Sequence, residues 1–307
     1  MIQRLLPFFT LFGLFVILAV ASPDHFLTKT NLSSVVRQTA VINLMALGMT
    51  LVIVAGGIDL SVGSILAMGG LLGTMVMKEN PIWLGVMTGI LAGGLCGLAN
   101  GLLTTQLRIN PFIVTLGTLG IFRGVTLIIS NGLPVHEIPQ AFSYLGEGNL
   151  LGVPFVLWVL VACAASVHIV LEHTRLGRYT FSIGSNEAAA FYTGIPVSFH
   201  TTAVYAICGA LTGLGGMIEA SRLMTGQPTA GQGYELQAIA AVVIGGGSLR
   251  GGEGSVVGTL IGAFIMGLLA NGSDLLGISP YVQQAIIGAV IILAVSFDEF
   301  SKRKMTR

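Results

Sequence analysis

The chain has 307 residues, of which 53% are hydrophobic and only 9% are charged. Soluble domains carry about 25% charged residues, so this composition excludes a water-soluble globular protein and predicts an all-α integral membrane protein. The formal net charge of +1 gives no electrostatic reason to expect nucleic acid as a partner. Cys96, Cys163 and Cys208 each fall inside an apolar run, which favours small buried side chains over a metal site or a disulfide.

Apolar segments that reach or approach the length needed to cross a bilayer recur along the whole chain. Ten are predicted, at residues 5–21, 40–56, 61–77, 82–103, 112–130, 151–171, 201–221, 236–249, 255–271 and 281–297. The segment 236–249 is short enough for a broken or re-entrant helix. The first segment resembles a signal peptide, but nine further spans follow it, so we interpret it as the first span. We predict a single transmembrane domain over residues 1–307.

Lys and Arg residues are distributed unequally between the two sides of this topology. With a cytoplasmic N-terminus, nine of them lie on the inner side and four on the outer side, and Arg123 lies within a span. Basic residues concentrate on the cytoplasmic side of membrane proteins, so both termini are predicted to be cytoplasmic. The long polar interruption at 172–200 is then cytosolic, as are two Gly-Gly breaks near residues 56 and 245.

The polar interruption at 172–200 contains the pattern of one short helix. Ser185 or Asn186 is a suitable N-cap, and residues 187–190 combine a carboxylate near the positive helix end with strong helix formers. Gly194 supplies a C-terminal stop, and Pro196 follows it. The pattern predicts a helix of about two turns.

So short a helix is unstable alone in water, because nucleation costs more than a few hydrogen bonds return. It must rest on another surface, and Phe191 and Tyr192 offer apolar contact. One interpretation packs it on its own membrane domain, and the other makes it a docking element for a cytosolic partner.

Motifs for enzymatic chemistry are absent from the sequence. No Gly is followed by Lys, so there is no phosphate-binding loop of the type GxxxxGK[ST], and there is no HExxH zinc motif. A Gly-x-Ser-x-Gly elbow near a His and a carboxylate is also missing. The sequence therefore favours a non-catalytic membrane protein.

Few charged residues lie at membrane depth, where each needs a polar environment. Asp59 lies between two apolar runs, and it either caps the next helix or lines a path; Ser61 is a second candidate cap. Arg123 is interpreted either as part of a permanent ion pair or as a cavity-lining residue. Glu219 and Arg222 are three residues apart and can pair on one helix face.

Residues 52–73 and 241–262 echo each other, since each has a Gly-Gly break followed by Gly-Ser and an apolar run. Transporters built from two repeated halves leave such traces. Gly-rich membrane helices also resemble one another by composition, and both explanations stay open.

Three segments closely resemble the bacterial sugar ABC importer permeases of the ribose type. They are LGMTLVIVAGGIDLSVGS at 47–64, HTRLGRYTFSIGSNEAA at 173–189 and QPTAGQGYELQAIAAVVIGGGSLRGGEGSVVGTLIGA at 227–263. The resemblance implies an inner-membrane permease of the type II ABC importer fold with two related halves. It also implies a second permease copy, in a homodimer or heterodimer, a periplasmic sugar-binding protein, and an ATP-binding subunit that uses the ATP, with no cofactor on this chain.

The resemblance further implies an ATPase-coupling loop at 172–200 with an EAA-like motif, although Gly194 lies one residue farther from Ala189 than in the broad consensus. The candidates for this loop are Arg175, Arg178, Glu187, Ala188, Ala189, Phe191 and Gly194. The candidates for the translocation path are Asp59, Ser61, Arg123, Glu219 and Gln227. Ribose is the substrate favoured by the match at 227–263. The alternatives are an ion-coupled secondary sugar carrier, a purely structural membrane subunit, and a permease for another sugar or a sugar-derived signal.

Overall fold

A computed structural model describes the backbone of residues 2–305 and the side chains of residues 6–290, 292, 293 and 296. The helices in the first half are α1 (Ile2–Ala21), α2 (Pro23–Phe26), α3 (Lys29–Val54), α4 (Val62–Met77), α5 (Ile82–Gln106), α6 (Pro111–Ser130) and α7 (Ser143–Glu147). Those in the second half are α8 (Phe155–His173), α9 (Arg175–Ser185), α10 (Glu187–Tyr192), α11 (Val197–Leu223), α12 (Tyr234–Ile244), α13 (Val256–Leu275) and α14 (Pro280–Met305). A 3-10 turn at Gln140–Phe142 and a two-stranded hairpin, β1 (Asn149–Leu150) with β2 (Val153–Pro154), complete the fold.

The helical class is confirmed, with the small hairpin as an exception to an all-α chain. Among the residues that the structure describes, six helices are long and apolar enough to cross a membrane, namely α3, α5, α6, α8, α11 and α13. Shorter apolar helices lie at Leu6–Ala21, in α4 and in α12. Each of the ten predicted segments coincides with a helix. The segment predicted at 236–249 corresponds to α12. This helix ends at Ile244 and, with 11 residues, is the shortest of these apolar helices.

Helix α3 lies at the centre of the fold, where α8, α11, α12 and α13 pack around it. Every residue from 39 to 54 is buried. The predicted span begins at residue 40, but the helix begins at Lys29. Its polar first turns are stabilised because the Thr28 hydroxyl accepts a hydrogen bond from the Asn31 N–H at 3.2 Å, and because Arg37 pairs with Glu147 at 3.1 Å. Protein contacts therefore allow the helix to continue beyond its apolar part.

Helices α4, α5 and α11 pack closely through glycines. A Cβ added to Gly93 of α5 would overlap the Gly209 carbonyl oxygen of α11, and one added to Gly97 would overlap that of Tyr205. The contact is mutual, since a Cβ on Gly209 would overlap the Gly93 carbonyl oxygen. Small residues let membrane helices approach at backbone distance, so these glycines determine which helices pair.

The two Gly-Gly breaks have the same local geometry. Gly56 follows α3 with φ +84°, and Gly246 follows α12 with φ +91°. In both breaks the N–H of the next residue returns to a carbonyl five positions earlier, at 2.9 and 2.8 Å. Ser61 and Ser255 are the N-cap residues of the helices that follow. By this backbone geometry Gly56 corresponds to Gly246. The sequence echo of 52–73 with 241–262 aligns Gly56 with Gly245, one residue earlier.

Both breaks meet α9 at one end of the bundle, hereafter the α9 end. The Gly252 N–H donates to the Val54 carbonyl at 2.9 Å, and a Cβ on Gly184 of α9 would overlap the same carbonyl oxygen. The opposite end carries residues 131–154, including α7 and the hairpin. The prediction that both breaks share a side with the polar interruption 172–200 is therefore confirmed.

Candidate functional site

Helix α10 forms with the limits that its sequence predicts. The Asn186 side chain accepts a hydrogen bond from the Ala189 N–H at 2.9 Å and caps the helix. At the other end Gly194 has φ +84°, and the Ile195 N–H returns to the Ala190 carbonyl at 3.1 Å. This is the left-handed glycine ending that releases the chain from a helix.

The two aromatic residues of α10 make little contact with the chain's own membrane domain, which argues against the first of the two interpretations of this helix. Phe191 is 66% exposed and Tyr192 is 85% exposed, whereas Ala190 is only 4% exposed and packs inward. The two rings lie against each other with centroids 5.8 Å apart. Glu187, like Ala188 and Ala189, is also exposed. Helix α10 therefore rests on the chain through a small side chain and presents an aromatic pair outward.

Helix α9 was not singled out in the sequence, although its N-cap provides a signal. The Thr174 hydroxyl accepts from the Gly177 N–H at 3.4 Å, and the buried residues Gly177, Thr180 and Ile183 recur at helical spacing. Arg175 and Arg178 lie on the exposed side. Helix α9 thus packs against the end of α3 and exposes two positive charges to solvent.

Asp59 is fully buried and holds the loop at 55–61 against α5. Its Oδ1 accepts from the Ser61 N–H at 2.9 Å and from the Ser61 hydroxyl at 2.6 Å. The Asn100 amide donates to the two Asp59 oxygens at 3.3 and 3.2 Å and to the Ser61 hydroxyl at 2.8 Å. The Ser61 side chain therefore donates to Asp59 and does not cap α4. Sequence reasoning missed Asn100, and its place inside the apolar span 82–103 is the available signal.

Arg123 binds backbone carbonyls in the middle of the bundle. Its guanidinium donates to Pro228 at 2.7 Å, to Ala230 at 2.9 Å and to Gly63 at 3.1 Å. Glu235 interacts with it electrostatically. Neither sequence interpretation described this arrangement, because the partners of Arg123 are mainly carbonyl groups of an irregular segment.

That irregular segment, residues 224–233, runs along α4 from the end opposite to α9 into the bundle. Gly226 lies beside Thr74, and Gly231 lies beside Gly63. Thr74 and Gly63 are eleven positions apart on one helix, so the segment descends by about 16 Å. Backbone without regular structure is tolerated at membrane depth only where protein or water satisfies it, and Arg123 supplies donors there.

Glu219 and Arg222 form the predicted pair on α11, at 3.0 Å. The pair is part of a longer chain of contacts, since Arg222 approaches Glu147 at 3.8 Å and Glu147 pairs with Arg37 at 3.1 Å. The Tyr234 hydroxyl donates to the second Glu219 oxygen at 3.4 Å. These contacts join α3, α7, α11 and α12 at the end opposite to α9.

Gln227 and Glu219 line a cavity of about 10 Å³ between α4, α11 and the segment 224–233. A cavity of this volume can hold about one water molecule. The structure brings these two path candidates together at one cavity, and it places Asp59 and Ser61 in a separate cluster. Within the described part of the chain, no group of three His, Cys, Asp or Glu side chains is placed to hold a metal ion.

A family model described as the permease component of a branched-chain amino acid transport system matches residues 31–295. The chain belongs to this family. The permease is 45% identical to the ribose import permease protein of Escherichia coli strain K12, over 94% of this chain and 92% of the relative. It is 44% identical to the protein of the same name in Bacillus subtilis strain 168, over 96% and 92%.

The L-arabinose ABC transporter permease protein of Azospirillum brasilense is 36% identical to the permease, over 95% of this chain and 86% of the relative. No solved structure matches the permease. These relatives confirm the resemblance to ribose-type sugar permeases that the three sequence segments indicate. The permease is therefore a multi-pass membrane protein of a transport system.

Proposed function

We propose that this permease is the membrane subunit of a binding-protein-dependent ABC importer that moves ribose into the cytoplasm. The observation that carries the proposal is the 45% identity to a ribose import permease over nearly the full length of both chains. Relatives named for D-allose and L-arabinose are 37% identical. The higher identity to the ribose proteins favours ribose over these two sugars.

The exposed side of α10 is the proposed docking site for an ATP-binding subunit. Phe191 and Tyr192 together expose a large apolar surface in a loop that the charge distribution places in the cytosol. Contiguous exposed aromatic residues outside the membrane favour a protein partner that covers them. Arg175 and Arg178 are exposed on α9, which packs against α10, and they would meet acidic groups of the partner, while Glu187 would meet basic ones.

The proposed topology has ten crossings within one domain at 1–307, formed by the nine apolar helices and α14. Both termini are cytoplasmic in this topology, and the matching geometry after Gly56 and Gly246 supports two related halves. The site of action is the bacterial inner membrane, where a second permease copy, lipid and a periplasmic sugar-binding protein are the further partners. The chain itself uses no cofactor, since the partner subunit hydrolyses the ATP.

During transport the permease alternates between outward- and inward-facing states, and ATP binding and hydrolysis shift the populations of the two states. Glu219 and Gln227 are the proposed sugar contacts, because they line one cavity beside the segment 224–233; this cavity holds about one water molecule, so it would have to widen to admit a sugar. Three other candidates form hydrogen bonds to backbone and side-chain groups of the irregular segments, namely Asp59, Ser61 and Arg123. They would therefore fix the shape of the path without contacting the sugar.

The decisive experiment measures uptake of labelled ribose into proteoliposomes of controlled orientation. The vesicles contain the permease with the ATP-binding subunit of its importer, and ATP and the sugar-binding protein are each added or omitted. Uptake that requires all of these components supports the proposal, and competition by unlabelled D-allose and L-arabinose ranks the sugars.

Uptake by the permease alone that stops with an ionophore would instead identify an ion-coupled carrier. Stimulation of ATP hydrolysis by another sugar, without ribose uptake, would support the importer function but identify a substrate other than ribose.

A further inference from the structure

Helix α6 packs loosely, and a narrow face of it contacts the rest of the permease, mainly α4 and α5. In its most apolar 18-residue window only 22% of the residues are buried. The buried residues are Val114, Thr115, Thr118 and Thr126. The Thr118 and Thr126 hydroxyls bond to carbonyls of their own helix. Among the described side chains of α6, hydrogen bonds to other elements come from Thr115 and Arg123.

The first of these contacts reaches the loop 55–61, which follows α3. The Thr115 hydroxyl shares its proton between the Ile58 carbonyl at 3.1 Å and the Pro111 carbonyl of its own helix at 2.9 Å. The Ile58 carbonyl also accepts from the Tyr205 hydroxyl at 3.3 Å. Helix α6 is thus tied to the same loop that holds Asp59.

The second contact reaches the segment 224–233. Arg123 donates to the carbonyls of Pro228 and Ala230, and its third bond, to Gly63, holds the segment beside the first turn of α4. A side chain on Gly63 would overlap both the Gly231 carbonyl oxygen and the Glu235 carboxylate, so segment and helix are in direct contact there. Charged donors make stronger hydrogen bonds than neutral ones, which makes Arg123 the stronger of the two contacts.

We propose that Thr115 and Arg123 are positioning residues through which α6 links the loop 55–61 to the segment 224–233, so that the two rearrange together during transport. The two side chains are eight positions apart on one helix, about 12 Å along its axis. A continuous helix moves as a unit, so a shift of α6 at one contact displaces the other. This role in transport rests on the proposed importer function, but the physical link does not.

The link can be tested without any sugar, by hydrogen exchange of the full-length permease in lipid nanodiscs. Thr115→Val removes one hydroxyl at nearly constant volume, and we expect exchange to accelerate about threefold in the segment 224–233, which Thr115 does not touch. Arg123→Lys should accelerate exchange in the loop 55–61 by a similar factor. Thr126→Val is the matched control, because its hydroxyl bonds only within α6, and it should change neither.

Exchange that accelerates only in the element touched by the substituted residue would overturn the link. Because this measurement needs no substrate, an incorrect assignment of ribose would leave its outcome unchanged.

The role in transport is tested by a double-mutant cycle on the maximal rate of uptake. Thr115→Val and Arg123→Gln are each expected to lower this rate about fivefold, with little change in the half-saturating concentration of the binding protein. If α6 links the two segments, the double variant should lose no more than the more impaired single variant. Distant, independent sites give effects that multiply. A product of about 25-fold would therefore overturn the proposal, and so would wild-type uptake by both single variants.

Discussion

Replacement of Gly194 by valine tests whether the ending of α10 positions a docking surface. Gly194 has φ +84°, and no atom lies within 4 Å of an added Cβ, so the substitution meets backbone strain and no steric clash. A left-handed conformation costs an L-residue roughly 1–2 kcal/mol, and a β-branched residue is a worse fit. A change of that size alters the ratio of intact to frayed α10 by about 5- to 30-fold.

We expect uptake by the Gly194→Val importer to fall, by at most this factor, because the intact fraction of α10 falls as far as the ratio does only where the frayed form predominates. The permease should remain folded, because α10 contributes little to the core. Uptake is measured in proteoliposomes, and folding is measured by the melting temperature of the purified permease. Gly194→Asn is the matched control, since Asn tolerates the left-handed region and should preserve most uptake. Wild-type uptake by the valine variant, or an equal loss with asparagine, would refute the reasoning.

Three further predictions concern packing and polar contacts. Gly93→Ala should destabilise the permease by about 1–3 kcal/mol, because the new Cβ would overlap the α11 backbone. Gly94→Ala is the control, since its Cβ would make an ordinary 3.6 Å contact, and it should not destabilise the permease. Equal melting temperatures of the two variants would contradict this prediction. Asn100→Leu removes the amide that donates to Asp59 and should cost about 1–3 kcal/mol, so an unchanged melting temperature would argue against that contact. Glu147→Gln should accelerate hydrogen exchange at 131–154, because it weakens the pairing of this side chain with Arg37 and Arg222. The acceleration should be smaller in high salt, because salt already screens these ion pairs in the unsubstituted permease. Glu137→Gln, whose exposed side chain pairs only with one lysine, serves as its control and should leave exchange in that region unchanged.

The apolar segments and the helix caps were predictable because they depend on residues close together in sequence. The predicted apolar runs overlap helices of the structure, although only six of these helices are long and apolar enough to cross a membrane within the described residues. Asn186 and Gly194 limit α10 as their intrinsic preferences dictate. The start of α3 was harder to predict from the sequence. Its polar first turns are held by Glu147, more than a hundred residues away, and no local pattern reports that contact.

The polar residues of the candidate site show the same division. The spacing of Glu219 and Arg222 on a helix predicts their pair, because three residues bring two side chains to one face. The partners of Arg123 were beyond sequence reasoning, since carbonyl groups carry no residue-type signal and become available only where the segment 224–233 is irregular.

The sequence by itself determined that this chain is a helical membrane protein with a capped helix in its polar loop, because hydropathy and capping are local properties; the permease assignment came from the family resemblance. Only the tertiary structure decided which of its 43 glycines touch another helix, that Phe191 and Tyr192 are exposed, and that Asp59 is enclosed by Ser61 and Asn100. These features depend on which helices become neighbours. That choice is made by close packing between distant parts of the chain.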